Sequence, residues 1–152
     1  MIVREYAERD FDACSKLFDA LLETHRALYP DGDVRGEFAP EGRLFVAEEG
    51  GRVVGYAGLL RHGRRAELEP IVVAPDERAH GIGHALVERV VRAARESDAV
   101  GIFVQPTARN LAAIAFFHSV GFDVLSYLRL EIDFQPRERR GDERIADREF
   151  RV

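Results

Sequence analysis

The chain predicts a single α/β domain built on a mixed, mostly antiparallel sheet. Three observations carry that prediction. With 152 residues there is enough chain for one well-buried core and too little for two. Three strand-like runs lie between residues 43 and 74, separated by turns of two or three residues, and turns that short join antiparallel neighbours. Beyond Pro75 the apolar spacing changes to three and four, and a helix, a strand and a second helix follow, which requires a crossover and a parallel pair.

Each element has its own signal. Ile2 to Tyr6 reads as a short strand. Asp10 stands at the N-cap of a helix whose stripe is Phe11, Cys14, Leu17, Phe18, Leu21, Leu22, His25 and Leu28, and Pro30 ends it. Asp31 to Gly42 is a loop, with one helical turn expected near Val34–Phe38. Arg43–Glu49, Arg52–Arg61 and Arg65–Ala74 are the three strands, turned by Gly50-Gly51 and by His62-Gly63-Arg64. Gly55 and Gly58, inside the second strand, point to a bulge or a close backbone approach. Leu86, Val87, Val90, Val91 and Ala94 give a helix from Gly83 to about Ser97. Ala99–Gln105 is a strand, Thr107 caps a helix running to about Val120, and Gly121 takes the C′ position. Phe122–Phe134 completes the pattern as one strand or as two joined by a bend. Residues 135–152 form a charged tail, either frayed or packed at a dimer contact, so the domain proper is expected over 1–134.

Composition narrows the function. Hydrophobic residues at 46% and charged residues at 32% are ordinary for a soluble globular protein. No apolar run approaches the roughly 18 residues that span a membrane, and the N-terminus has no apolar leader stretch. A net charge of −5 argues against nucleic acid and anionic membrane as partners. The single Cys14 rules out an intrachain disulfide and leaves a Cys-based zinc site short of ligands. A cytoplasmic protein with no metal is expected, with Cys14 a small buried apolar residue.

Chemistry concentrates in Ile71–Val91. A strand runs into Arg78-Ala79-His80-Gly81-Ile82-Gly83, and a helix starts at once. The first N–H groups of a helix have no internal partner and its dipole makes that end positive. Glycines let an anion reach the backbone, and Arg78 adds a forked cation. On spacing alone the ligand is a phosphate compound. Leu86 stands where a dinucleotide fingerprint needs a third Gly, and no Gly-Lys-Ser/Thr is present, so both common nucleotide motifs are incomplete. A second segment, Asn110–Phe122, places Asn110 and Phe117 two turns apart on one helix face.

Taken in order, Arg-x-x-Gly-x-Gly between strand and helix and Asn-x-x-Ala-x-x-Phe-x-x-x-x-Gly-Phe further on resemble the GNAT superfamily of N-acetyltransferases, across roughly residues 1–134. The resemblance implies a GNAT-like α/β fold, with helices on both faces of the sheet and a splayed parallel strand pair holding acetyl-CoA as cosubstrate. Those strands would be 67–73 and 99–105. The backbone of Ile71, Val72 and Val73 would hold the pantetheine arm. Arg78, Ala79, His80, Gly81, Ile82, Gly83, His84 and Ala85 would hold the pyrophosphate. Asn110 would contact the cofactor, and Phe116 and Phe117 would line the thioester end. The implied reaction is acetyl transfer to a primary amine of a small molecule or peptide, by direct attack in a ternary complex.

That reaction needs a base for the amine proton. Glu69 and Glu67, two apart on the strand entering the cradle, are the candidates, with Glu69 favoured; the family often carries a catalytic Glu there. A strand N–H near Val73 is the candidate donor to the oxyanion. The sequence departs from the family at Phe117, where many members have a Tyr that protonates the leaving thiolate. A thiol with a reference pKa near 8.5 leaves tolerably as thiolate, so water can serve; Tyr29, Tyr56 and Tyr127 are substitutes between which the sequence does not choose. The departure keeps open a second class, a non-catalytic acyl-CoA-binding regulatory module; a nucleotide-binding oxidoreductase domain is a third. Homodimers are common in the family, and the tail is one means of forming one.

Overall fold

The structure is a computed structural model that describes residues 1–134 and 141–152. Five strands form the sheet in the order β1-β2-β3-β4-β5, with β1 Ile2–Glu5, β2 Arg43–Glu49, β3 Arg52–His62, β4 Arg65–Val73 and β5 Ile102–Phe103. The first three pairings are antiparallel and β4–β5 is parallel, as the mixed-sheet prediction requires. Helix α1 (Phe11–Leu28) covers one face, and α2 (Ile82–Glu96) and α3 (Leu111–Ser119) cover the other.

Strand alternation sorts the core between these faces. Phe45 and Ala47 of β2 meet α2, with Leu86, Val90 and Phe117, whereas Leu44 and Val46 meet α1, with Cys14, Leu17 and Phe38. Burying Ile82, Leu86, Val87 and Val90 on the apolar stripe of α2 contributes roughly 1.5–3 kcal/mol for each side chain. Cys14 is fully buried, and loss of solvent pushes its thiol up to about 12, so it stays protonated and inert.

Two helix starts differ from expectation. Asp10 holds the N-cap position of α1, as expected, but its side chain makes no capping bond: its carboxylate takes two hydrogen bonds from Arg4, at 2.7 and 2.9 Å, and one from the Ala7 N–H. Arg4 also bonds Glu48 of β2, so the pull of the guanidinium outweighs the cap. Helix α3 begins at Leu111, and Asn110, not Thr107, is its cap, accepting from the Ala113 N–H at 3.1 Å. Gly121 follows it with φ +98°, as a C′ residue should.

The loop 29–42 forms no helical turn at Val34–Phe38. Its anchor is Phe38, buried among the rings of Tyr6, Phe11, Phe18 and Tyr56. The strand predicted over Phe122–Phe134 is not formed. Its apolar pattern selects a face but supplies no neighbour, and β5, predicted over Ala99–Gln105, has only two ladder residues with which to pair. Within the charged C-terminal stretch, Asp142–Ile145 (β6) and Arg148–Arg151 (β7) form a two-stranded hairpin, and residues 135–140 lie outside the described residues. No helix among the described residues is long and apolar enough to cross a membrane.

Candidate active site

The site is made by a fork in the sheet. β5 pairs with β4 only at Ala66↔Ile102 and Glu67↔Phe103. From Leu68 to Val73, β4 stays bonded to β3 on one side and has no ladder partner on the other among the described residues. The Ala74 N–H donates to Val54 O at 2.8 Å. Donors alternate along a strand, so the Val73 and Ile71 N–H groups point away from β3, into the fork.

A bulge sets what stands at the fork. Leu59 opposes Leu68 and Ala57 opposes Ile71, so β4 carries one residue more than β3 between these pairs. That extra residue reverses parity. Ala66 and Leu68 face α2, and beyond the bulge Ile71 and Val73 do so, while Val72 faces α1. The bulge fits because Gly58 has no side chain: a Cβ there would lie 2.1 Å from Glu69 O. Gly55 is similarly close to Val72 O, at 2.8 Å. Both glycines thus mark the close approach that the sequence suggested.

The two carboxylates differ sharply. Glu67, the last paired residue before the fork, is 4% exposed. It is anchored from both sides: Gln105 Nε2, two residues beyond β5, donates to Oε1 at 2.9 Å, and His62 Nε2, at the end of β3, lies 2.7 Å from Oε2. Glu69 is exposed at the mouth. Loss of solvent around its carboxyl, then the charge of Glu67 and a hydrogen bond to it, raise Glu69 above the usual carboxylate range; Glu41 adds to the rise and His62 opposes it. A raised carboxyl that still meets solvent is a better proton acceptor than an ordinary carboxylate and suits the role of a base.

The cradle lies at the start of α2. Gly81 caps it with φ +79° and open space around its Cα. The Ala85 N–H bonds Gly81 O at 3.1 Å, which leaves the N–H groups of Ile82, Gly83 and His84 without helical partners. Arg78 is exposed and makes no hydrogen bond or ion pair with a described residue. His80 turns to Glu77, 4.0 Å away. Ala79 sits at φ +65°, so its methyl group is held in a conformation that disfavours side chains. Phe116 lies against the helix start: its ring would be 3.0 Å from a Cβ on Gly83 and packs edge-on to His84. Phe117 is in the core against Phe116 and Phe122, and the Asn110 side-chain oxygen is occupied by its capping bond. The open helix start, unpaired Arg78 and unladdered edge of β4 together fit an elongated phosphate-bearing cosubstrate.

None of the three tyrosines stands at the fork as a proton donor. Tyr56 is buried under Phe38 and burial raises its hydroxyl well above the ordinary range. The Tyr29 hydroxyl accepts the Arg109 N–H at 3.2 Å, and Tyr127 stands 89% exposed. The sequence missed His62, read as a turn residue, and Gln105, read as a strand end. No local signal marks either; only strand register brings them to Glu67.

The chain matches the Acetyltransferase (GNAT) family over residues 5–122. It is 32% identical over 118 residues to the N-alpha-acetyltransferase RimI of Mycobacterium tuberculosis, covering 74% of this chain and 72% of that protein. The ribosomal-protein-alanine N-acetyltransferase of Brucella melitensis superposes with a TM-score of 0.63 at 24% identity, over 80% of this chain and 83% of the other. The aminoglycoside N-acetyltransferase AAC(6')-Iy in complex with CoA superposes with a TM-score of 0.67 at 18% identity, over 90% and 99%. Family match, mixed sheet and splayed parallel pair agree, and the chain belongs to the GNAT family of acetyltransferases.

Proposed function

We propose that the protein transfers the acetyl group of acetyl-CoA to a primary amine by direct attack within a ternary complex, in the cytoplasm. The observation that carries the reading is the carboxylate pair at the point where the parallel strands part. Acetyl-CoA supplies the activated thioester. Arg78 and the N–H groups at the start of α2, from Ile82 to His84, would bind its pyrophosphate, and the unladdered backbone of Ile71–Val73 its pantetheine arm. Glu69, open and raised, takes the amine proton, and Glu67 shares it. The Val73 N–H meets the negative charge that develops on the acyl oxygen. Nothing at position 117 protonates the thiolate, a leaving group that water serves adequately.

The acceptor is a small-molecule or peptide amine. The names of the relatives span protein N-termini and aminoglycosides. Of the loop and helix acids that would attract a cation, Glu23 and Asp33 are already paired with Arg26 and Arg35, which leaves Asp31 and Glu37 facing solvent.

Thermal unfolding and thiol release test the reading together. Acetyl-CoA at a hundred times its Kd adds about 2.7 kcal/mol to stability, and NAD adds nothing. Glu69→Gln should keep that shift and lose about a hundredfold or more in turnover across a panel of N-terminal peptides and amino-sugars. No thermal shift with acetyl-CoA, or full turnover in Glu69→Gln, overturns it. A shift without thiol release from any amine favours the acyl-CoA-binding module instead.

A further inference from the structure

His62 lies outside the cradle, yet it touches Glu67 of the carboxylate pair. It closes β3, two residues beyond Leu60, the residue opposite Glu67, so His62 and Glu67 are diagonal neighbours on one face. Its Nε2 lies 2.7 Å from Glu67 Oε2, and its ring packs against Phe103, the residue paired with Glu67 on β5. Half of the His62 side chain meets solvent, while that of Glu67 is 5% exposed. A buried carboxylate needs partners for its oxygens. Gln105 satisfies one without charge; His62 satisfies the other and is, among the described residues, the only partner able to become cationic.

We propose that His62 is a positioning residue of the proposed acetyl transfer: its imidazole fixes the Glu67 carboxylate and, through it, sets the pH range over which Glu69 takes up a proton. This rests on the reading of Glu69 as the base. The coupling is electrostatic. A cation at His62 lowers the proton affinity of the pair, and its removal leaves two carboxyls side by side with no compensating charge. The other charged groups at the pair are few. Glu41 faces Glu69 from the loop before β2. Arg65 stands opposite His62 in the ladder but lays its guanidinium against Gly101. β5 and the residues just after it contribute Phe103 and Gln105, neither of which titrates.

The test is a carboxyl carbon-13 NMR titration of Glu67 and Glu69 in the protein alone, beside the pH profile of thiol release. In His62→Gln, which keeps a donor and discards the charge, both carboxyls should titrate at higher pH than in the wild type. The acid limb of activity should move with them, so that the loss is several-fold larger at the acid end than at the alkaline end. In His62→Lys, which keeps a cation, the titration should fall at or below the wild-type position. If His62→Gln fails to fold, His62→Lys decides alone: a titration moved upward refutes the proposal. Equal titrations in all the variants, with any loss of activity independent of pH, assign His62 a purely structural role and overturn it. A titration that moves as expected while no amine yields thiol overturns the acetyl-transfer reading and leaves the coupling standing.

Discussion

Gly58→Ala ties the sheet to the site. The new Cβ would stand 2.1 Å from Glu69 O, 3.0 Å from Glu69 C and 3.1 Å from Leu44 Cδ2. Carbon and carbonyl oxygen ordinarily come no closer than about 3.3 Å, so β4 must retreat by about 1 Å at the bulge. The flanking residues Ala57 and Leu59 are 0% and 3% exposed, and the atom met is backbone, so no flexible side chain absorbs the change. Overpacking costs about 1–3 kcal/mol, and backbone against backbone belongs at the upper end, about 3 kcal/mol. For a domain of this size each kcal/mol moves Tm by about 2–4 °C, so a fall of about 6–12 °C is expected by circular dichroism. Gly63→Ala is the contrast. Gly63 has φ +60° and nothing within 4 Å, so it should lose only the conformational term, about 1 kcal/mol. The displaced bulge should also carry the Glu69 carboxyl away from Glu67 and reduce thiol release. A Tm for Gly58→Ala no lower than that of Gly63→Ala would refute the argument, because then the bulge does not need a missing Cβ.

Two further predictions concern strain and charge. Ala79→Gly should raise Tm by about 1–2 °C: releasing the +65° conformation gains about 1 kcal/mol, and the added freedom of the unfolded chain takes back about half; an unchanged or lower Tm refutes the strain. Asp10 is held below the ordinary carboxylate range first by its hydrogen bonds to Arg4 and then by the Ala7 N–H, with burial opposing. A depressed carboxyl stabilises the fold above its unfolded pKa, near 4, and loses that contribution as pH falls through its folded value. Asp10→Asn should therefore cost about 2 kcal/mol at neutral pH, and its Tm should converge on that of the wild type as the pH drops below about 4. A gap that stays constant with pH would refute the ion-pair account.

The legibility of this protein in its sequence was uneven for physical reasons. Hairpins carry their register in their turns, so Arg43–Glu49 was placed to the residue and Arg52–His62 to within one. The helix α2 carries its own stripe and its glycine start, so it was placed to within a residue at either end. A lone strand carries no such record. Ala99–Gln105 shrank to Ile102–Phe103, and Phe122–Phe134 formed no strand, because a strand exists only where a partner accepts its bonds. Capping divided likewise: Gly121 was legible from its own conformational freedom, whereas the Asp10 side chain was taken by Arg4, six residues earlier, at a turn that only the folded path of the chain closes.

By itself, then, the sequence determined the mixed sheet, the anion-binding start of α2, the membership of the family and the strand on which the two carboxylates stand, since all of these reside in short spacings along the chain. Tertiary structure alone decided how those carboxylates differ. Residues two apart on a strand look equivalent in sequence. Glu67 became the buried, anchored partner because β3 and the segment after β5 deliver His62 and Gln105 to it, and Glu69 became the open one because it stands in the bulge against Gly58, past the end of the β4–β5 ladder. Contacts between residues 38 positions apart, such as Glu67 with Gln105, leave no local pattern, because their spacing is set by the folded path of the chain.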